Sequence, residues 1–125
     1  MSGIGRLYAI VIDCPDPAML ADFYAELTGY DVLDAEEDWV TLGRGSETRI
    51  AFQLARDHQP PQWPDPGHPQ QMHLDIFVAD VDEAEREVLK RGATLLDGAD
   101  RSGFRVYADP SGHPFCLCRE DPTAA

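Results

Sequence analysis

The sequence predicts an α+β domain of two βαβββ modules whose strands form a curved mixed sheet around a cavity. Three observations carry that prediction. One segment recurs 64 residues further on; two amphipathic helix patterns each open on an aspartate and close on a glycine; and three short strand-like runs follow each glycine. A chain of 125 residues suits one domain. Its modules are read as about 6–55 and about 72–119, with a linker at 56–71.

The repeat sets Ala9-Ile10-Val11-Ile12-Asp13-Cys14-Pro15-Asp16 over His73-Leu74-Asp75-Ile76-Phe77-Val78-Ala79-Asp80. Each copy is a β-branched apolar strand ending in an Asp able to cap a helix. The first helix is expected to begin at Asp16, with Pro17 in the first turn, where a missing N–H is harmless. Leu20, Phe23, Tyr24 and Leu27 then fall on one stripe, and Gly29 ends it. The second is expected to begin at Asp80 with Glu83 as capping-box partner, to turn Val81, Ala84 and Val88 inward, and to close at Gly92. Strand-like runs follow at 30–33, 39–42 and 49–55, and again at 94–96, 104–108 and 115–118. In the last of these the match is Phe52-Gln53-Leu54 with Phe115-Cys116-Leu117, at an offset of 63. Residues 56–71 hold five prolines, which forbid a helix interior or a central strand, and also Trp63, His58 and His68. Trp63 is expected to serve as a lid or a dimer contact.

Charge narrows the function. The formal net charge of −13 repels nucleic acid and anionic membranes, and it suits solubility or a cationic ligand. The apolar run at 7–12 lacks a cleavage site, so no signal peptide is expected there. It is also too short to span a bilayer. Cys14, Cys116 and Cys118 have no disulfide-scaffold spacing, which points to a reducing cytoplasm.

Strand alternation sorts the side chains by face. Ile10 and Ile12, Leu74, Ile76 and Val78, Ile50, Phe52 and Leu54, and Phe115 and Leu117 are expected to pack on the helices. That leaves His73, Asp75, Phe77, Gln53, Cys116 and Cys118 on the cavity side. The repeat nominates Ala9 with His73, and Gln53 with Cys116, as equivalent positions. His73 and Asp75 share a face nearly 7 Å apart along a strand, which leaves an acid–base pair open. His113, beside Pro114, fits a structural turn.

The first strand followed by Asp16, Asp22-Phe23-Tyr24 and Gly29-Tyr30, the second-half start His73-Leu74-Asp75, and Asp109-Pro110-Ser111-Gly112-His113-Pro114-Phe115 together resemble the vicinal oxygen chelate superfamily. That superfamily includes glyoxalase I, bleomycin-resistance proteins and extradiol dioxygenases. The resemblance runs from about Leu7 to Cys118 and is closest to small bacterial glyoxalase-like proteins. It implies a divalent metal held by two side chains from each module, at positions that fall on Ala9, Gln53, His73 and Cys116. Glyoxalase I-like enzymes carry His or Gln, Glu, His and Glu there. Ala9 has no donor, Gln53 is neutral, and Cys116 is soft where a hard ligand is expected.

The expected function is therefore binding of a small organic molecule in the cavity between the modules, without the usual metal and with no cofactor. Gln53, His73, Asp75, Cys116, Trp39, Trp63 and Tyr107 are the expected ligand-binding residues, in a homodimer that binds neither nucleic acid nor membrane. The alternatives are a lyase, isomerase or dioxygenase with a diverged metal site on His73, Gln53 and Cys116, and drug sequestration of the bleomycin-binding type. Catalytic residues are not assigned.

Overall fold

The computed structural model describes residues 3–62, 65–67, 72–101 and 103–119. Trp63 and His68 lie outside the described residues. Internal contacts divide the chain into two compact units, Met1–His58 and Gln59–Ala125, with the break inside the expected linker. The first unit contains β1 (Ala9–Cys14), α1 (Pro17–Thr28), β2 (Asp31–Glu36), β3 (Trp39–Gly43) and β4 (Arg49–Leu54). The second repeats the order as β5 (Leu74–Val78), α2 (Val81–Lys90), β6 (Thr94–Arg101), β7 (Phe104–Ala108) and β8 (Pro114–Arg119). Each unit makes one four-stranded sheet, ordered β1-β4-β3-β2 or β5-β8-β7-β6. In each the first pair is parallel and the other two are antiparallel. A helix supplies the crossover that the parallel pair requires.

Both helices start and stop where the sequence places them. Asp16 accepts the Met19 N–H at 3.2 Å, Pro17 opens α1, and Gly29 at φ 75° donates its N–H to the Ala25 carbonyl at 2.9 Å. Asp80 caps α2 in the same way, accepting the Glu83 N–H at 3.1 Å. The end of α2 is a Schellman turn: Ala93 N–H reaches the Val88 carbonyl at 3.0 Å and Gly92 N–H the Leu89 carbonyl at 3.2 Å. Gly92 sits at φ 103°, a conformation that penalises any Cβ.

Each sheet buries one face under its helix. Tyr24 of α1 stacks on Phe52 of β4 with ring centroids 5.6 Å apart, and Phe23 meets Tyr24 edge-on. Leu20, Leu42 and Val40 complete this core. Burying each such side chain contributes about 1.5–3 kcal/mol. In the second unit Tyr107 stacks on Phe115 at 5.4 Å, beside Leu117 and Val88. Arg105, on the same side of β7, pairs with Asp82 at 2.7 Å and Glu85 at 3.4 Å of α2. The inward positions of Leu20, Phe23, Tyr24, Phe52, Val88, Phe115 and Leu117 match the expected faces.

Between β7 and β8, Asp109 is 3% exposed, and its Oδ1 accepts the N–H groups of Ser111 at 2.8 Å and His113 at 3.0 Å. The Asp109 N–H also donates to the His113 carbonyl at 2.8 Å. The motif folds the chain tightly back into β8, as expected of a structural turn. Among the described residues no helix is long and apolar enough to cross a membrane.

Candidate functional site

The face of each sheet turned away from its helix carries the candidate residues. In the first unit Phe52 faces α1, so its strand neighbours Ala51 and Gln53 face the other way. Pairing then sets one row across the four strands: Glu36 beside Trp39, Trp39 beside Gln53, and Gln53 beside Asp13. Trp39 is half-buried, and its indole N–H donates to Thr41 Oγ1 at 2.9 Å, which fixes the ring along β3. An aromatic surface thus lies next to an amide, with a carboxylate at each end of the row.

In the second unit Asp75 and Phe77 lie on the outer face of β5, with His73 just before the strand, next to Cys116 and Cys118 of β8. Register sets Asp75 opposite Cys116 and Phe77 opposite Cys118. Phe77 is 71% exposed and fills no core. The strand spacing between His73 and Asp75 is bridged by their side chains: His73 Nε2 lies 3.2 Å from Asp75 Oδ1, with the two side chains 41% and 62% exposed. The Cys116 thiol is buried and lies beside the same Asp75 carboxylate, its strand partner. One donor atom each from His73, Asp75 and Cys116 thus falls within 4.8 Å of the others.

This arrangement disfavours a nucleophilic cysteine. Burial pushes the Cys116 thiol up to about 12, and the neighbouring Asp75 charge adds to the effect. Burial and Asp75 raise Cys118 as well. Reactive thiols instead sit near cations, where the thiolate is stabilised.

Two sequence expectations are corrected. Tyr107, expected to bind ligand, is fully buried on the helix side of β7, where its hydroxyl donates to Glu85 at 2.9 Å. Its strand partner is Phe115, not the outer-face Cys116, because β7 pairs Tyr107 with Phe115 and Val106 with Cys116. The offset of 63 for the last strands is also two residues out of register. With β1 laid over β5 at an offset of 64, Ile12 pairs with Phe52 while its counterpart Ile76 pairs with Leu117. Structurally, then, Ala51 corresponds to Cys116 and Gln53 to Cys118.

Register also bears on the metal centre that the resemblance implies. Ala9 pairs with Arg49, four residues before Gln53 on β4. That separation is about 13 Å along the strands. The first-unit counterparts of His73, Asp75 and Cys116 are Ala9, Val11 and Ala51, none of which has a donor atom. The first unit therefore does not supply the adjacent pair that a two-plus-two ligand set requires, and the residues present do not fit that centre.

Two mixed four-stranded sheets, each in βαβββ order with donor-bearing outer faces, define a glyoxalase-like fold. A family model described as a glyoxalase-like domain matches residues 9–118, and the chain belongs to that family. The resemblance to the vicinal oxygen chelate superfamily is thereby borne out. Among solved structures, a glyoxalase/bleomycin resistance protein/dioxygenase family enzyme from Burkholderia phytofirmans is similar with a TM-score of 0.74 and 16% identity. That match covers 92% of this chain and 98% of the other. The trypanothione-dependent glyoxalase I of Leishmania major gives a TM-score of 0.68 at 23% identity, covering 93% and 87%. A glyoxalase-related enzyme from Fulvimarina pelagi gives 0.68 at 16%, covering 94% and 89%. At these identities the likeness concerns the fold. No curated protein sequence matches the chain.

Proposed function

We propose that this glyoxalase-like chain binds a small organic molecule and does not perform the metal-dependent isomerisation of glyoxalase I. The observation that carries the reading is the row Glu36–Trp39–Gln53–Asp13 on the outer face of the first sheet. A ring held by the Thr41 hydrogen bond offers stacking area, and Gln53 beside it offers both a donor and an acceptor. The apolar counterparts Ala9, Val11 and Ala51 support the second half of the proposal.

A panel of aromatic amines and neutral heterocycles, screened by thermal shift and by amide chemical-shift changes, tests the binding. Hits are expected to perturb β3 and β4 and to weaken about tenfold or more in Trp39→Ala, which removes the stacking surface. Hits unaffected by both Trp39→Ala and Gln53→Ala overturn the assignment. Turnover of a methylglyoxal hemithioacetal on addition of nickel or zinc, abolished in Gln53→Ala, sinks the non-isomerase half.

A second reading has its own observation. Asp13 and Glu36 place a carboxylate at each end of the row, in a chain of net charge −13, which favours a cationic guest over the indole. Sequestration of a cationic drug of the bleomycin type then follows. Titration with bleomycin, read by amide shifts at Trp39, is expected to saturate and to weaken as salt rises; no saturable change discards this reading.

A further inference from the structure

We infer that the second unit by itself builds a zinc site from His73, Asp75 and Cys116, which differs from a ligand set shared between two modules in adding Asp75 and in needing no donor from the first unit. The inference goes beyond the organic-ligand reading and does not depend on it.

The chemistry starts from the donor set. Imidazole, carboxylate and thiolate are the three side-chain types that bind zinc, whereas a thiol is a poor ligand for magnesium or calcium. The geometry is nearly formed. Zinc–ligand bonds of about 2.0–2.3 Å in a tetrahedron put donor atoms about 3.4–3.6 Å apart. His73 Nε2 and Asp75 Oδ1 already stand at 3.2 Å, and no pair among the three donors exceeds 4.8 Å. A rotation of the exposed His73 and Asp75 side chains towards the buried Cys116 closes the remainder.

The surroundings point the same way. His73, just before β5, and Asp75 on it are two residues apart and meet at 3.2 Å, and the parallel pairing with β8 brings Cys116 directly beside Asp75. Asp75 already stands next to the other two, paired across the strands with Cys116 and 3.2 Å from His73. On zinc binding the thiol proton leaves to solvent and the thiolate takes the metal. Three protein ligands leave a fourth position open, the pattern of sites that accept water or an incoming ligand. The first unit offers Ala9, Val11 and Ala51 at the same rows, so the stoichiometry is one zinc per chain rather than two.

The test uses the full-length, tag-free chain, stripped with chelator and then titrated with zinc alone against a chromophoric competitor. One equivalent is expected to bind, and magnesium is expected not to compete. Cobalt is expected to give a thiolate-to-metal charge-transfer band in the near ultraviolet. Asp75→Asn and Cys116→Ser are each expected to weaken zinc about a hundredfold or more, while Gln53→Ala and Trp39→Ala leave it unchanged. Substoichiometric binding, a cobalt spectrum without the thiolate band, or undiminished affinity in Asp75→Asn overturns the inference. Asp75 is exposed, so its variant gives the answer even where Cys116→Ser fails to fold. Loss of zinc in Gln53→Ala would instead favour a ligand set spanning both units and would overturn the single-unit assignment. The metal alone is the probe, so failure of the organic-ligand screen leaves this result standing.

Discussion

Replacing Asp109 by alanine is expected to be the most costly single change outside the aromatic core. One carboxylate oxygen accepts two backbone N–H groups, from Ser111 at 2.8 Å and His113 at 3.0 Å, at a position only 3% exposed. A hydrogen bond to a charged acceptor is worth about 1.5–3 kcal/mol net. Removing two of them, offset by no longer burying the carboxylate, gives a loss of about 2–4 kcal/mol. For a chain of this size that corresponds to a melting temperature lower by roughly 8–16 °C. Asp109→Asn separates the geometry from the charge. Its amide oxygen still accepts both N–H groups, so the expected loss falls to about 1 kcal/mol. Urea unfolding followed by circular dichroism measures both variants. The reasoning is refuted if alanine costs less than about 0.5 kcal/mol, or if asparagine and alanine cost the same, since the turn would then not depend on that oxygen.

Three further outcomes follow from the same structure. Tyr107→Phe removes the hydroxyl that donates to Glu85 and is expected to cost about 1–2 kcal/mol at neutral pH by thermal melting. Burial, then Glu85, raises the Tyr107 pKa in the fold, so its stabilisation is complete below pH 10 and is lost as pH climbs towards the raised folded-state value. The gap between wild type and Tyr107→Phe should therefore narrow above pH 10, and a gap that widens there contradicts the assignment. Gly112→Ala is expected to lower stability by at least about 1 kcal/mol, because φ is 94° and the added Cβ would overlap the side chain of Pro60; an unchanged melting temperature counts against that packing. Iodoacetamide at pH 8 is expected to leave Cys14 and Cys116 unmodified in the metal-free native protein and to label Cys118 slowly. Cys14 is fully buried, and burial with Asp75 pushes Cys116 up to about 12. Mass spectrometry showing rapid Cys116 labelling would contradict the Asp75 contact.

The elements themselves were legible in the sequence because their signals are local. Asp16 and Asp80 mark helix starts by the cap they supply, and Gly29 and Gly92 mark the ends by the positive φ they tolerate. The 104–108 run is β7, and the 115–118 run grows by one residue at each end into β8. Strand alternation assigned Phe52 and Leu117 inward and Gln53 and Cys116 outward, as observed. Tyr107 escaped the reading because aromatic residues suit a ligand face and a core equally well. Only the pairing of Tyr107 with Phe115 and the Glu85 bond place it inside.

Register was beyond the sequence for a physical reason. Side chains on a strand alternate with a period of two, so a slip of two residues returns every side chain to its own face and leaves the apolar pattern unchanged. The match of Phe52-Gln53-Leu54 with Phe115-Cys116-Leu117 is such a slip, and pattern alone cannot detect it. Long-range pairing does. Cα partners across β1–β4 and β5–β8 move Ala51, not Gln53, onto Cys116, and separate Ala9 from Gln53 by four residues. The sequence by itself thus determined two βαβββ units, their caps and, Tyr107 apart, the faces of the strand residues it singled out. Tertiary pairing decided which outward residues become neighbours: Trp39 with Gln53 on one sheet, and His73, Asp75 and Cys116 on the other. Hydrogen bonds between strands distant in the chain fix that choice, and no local propensity encodes it.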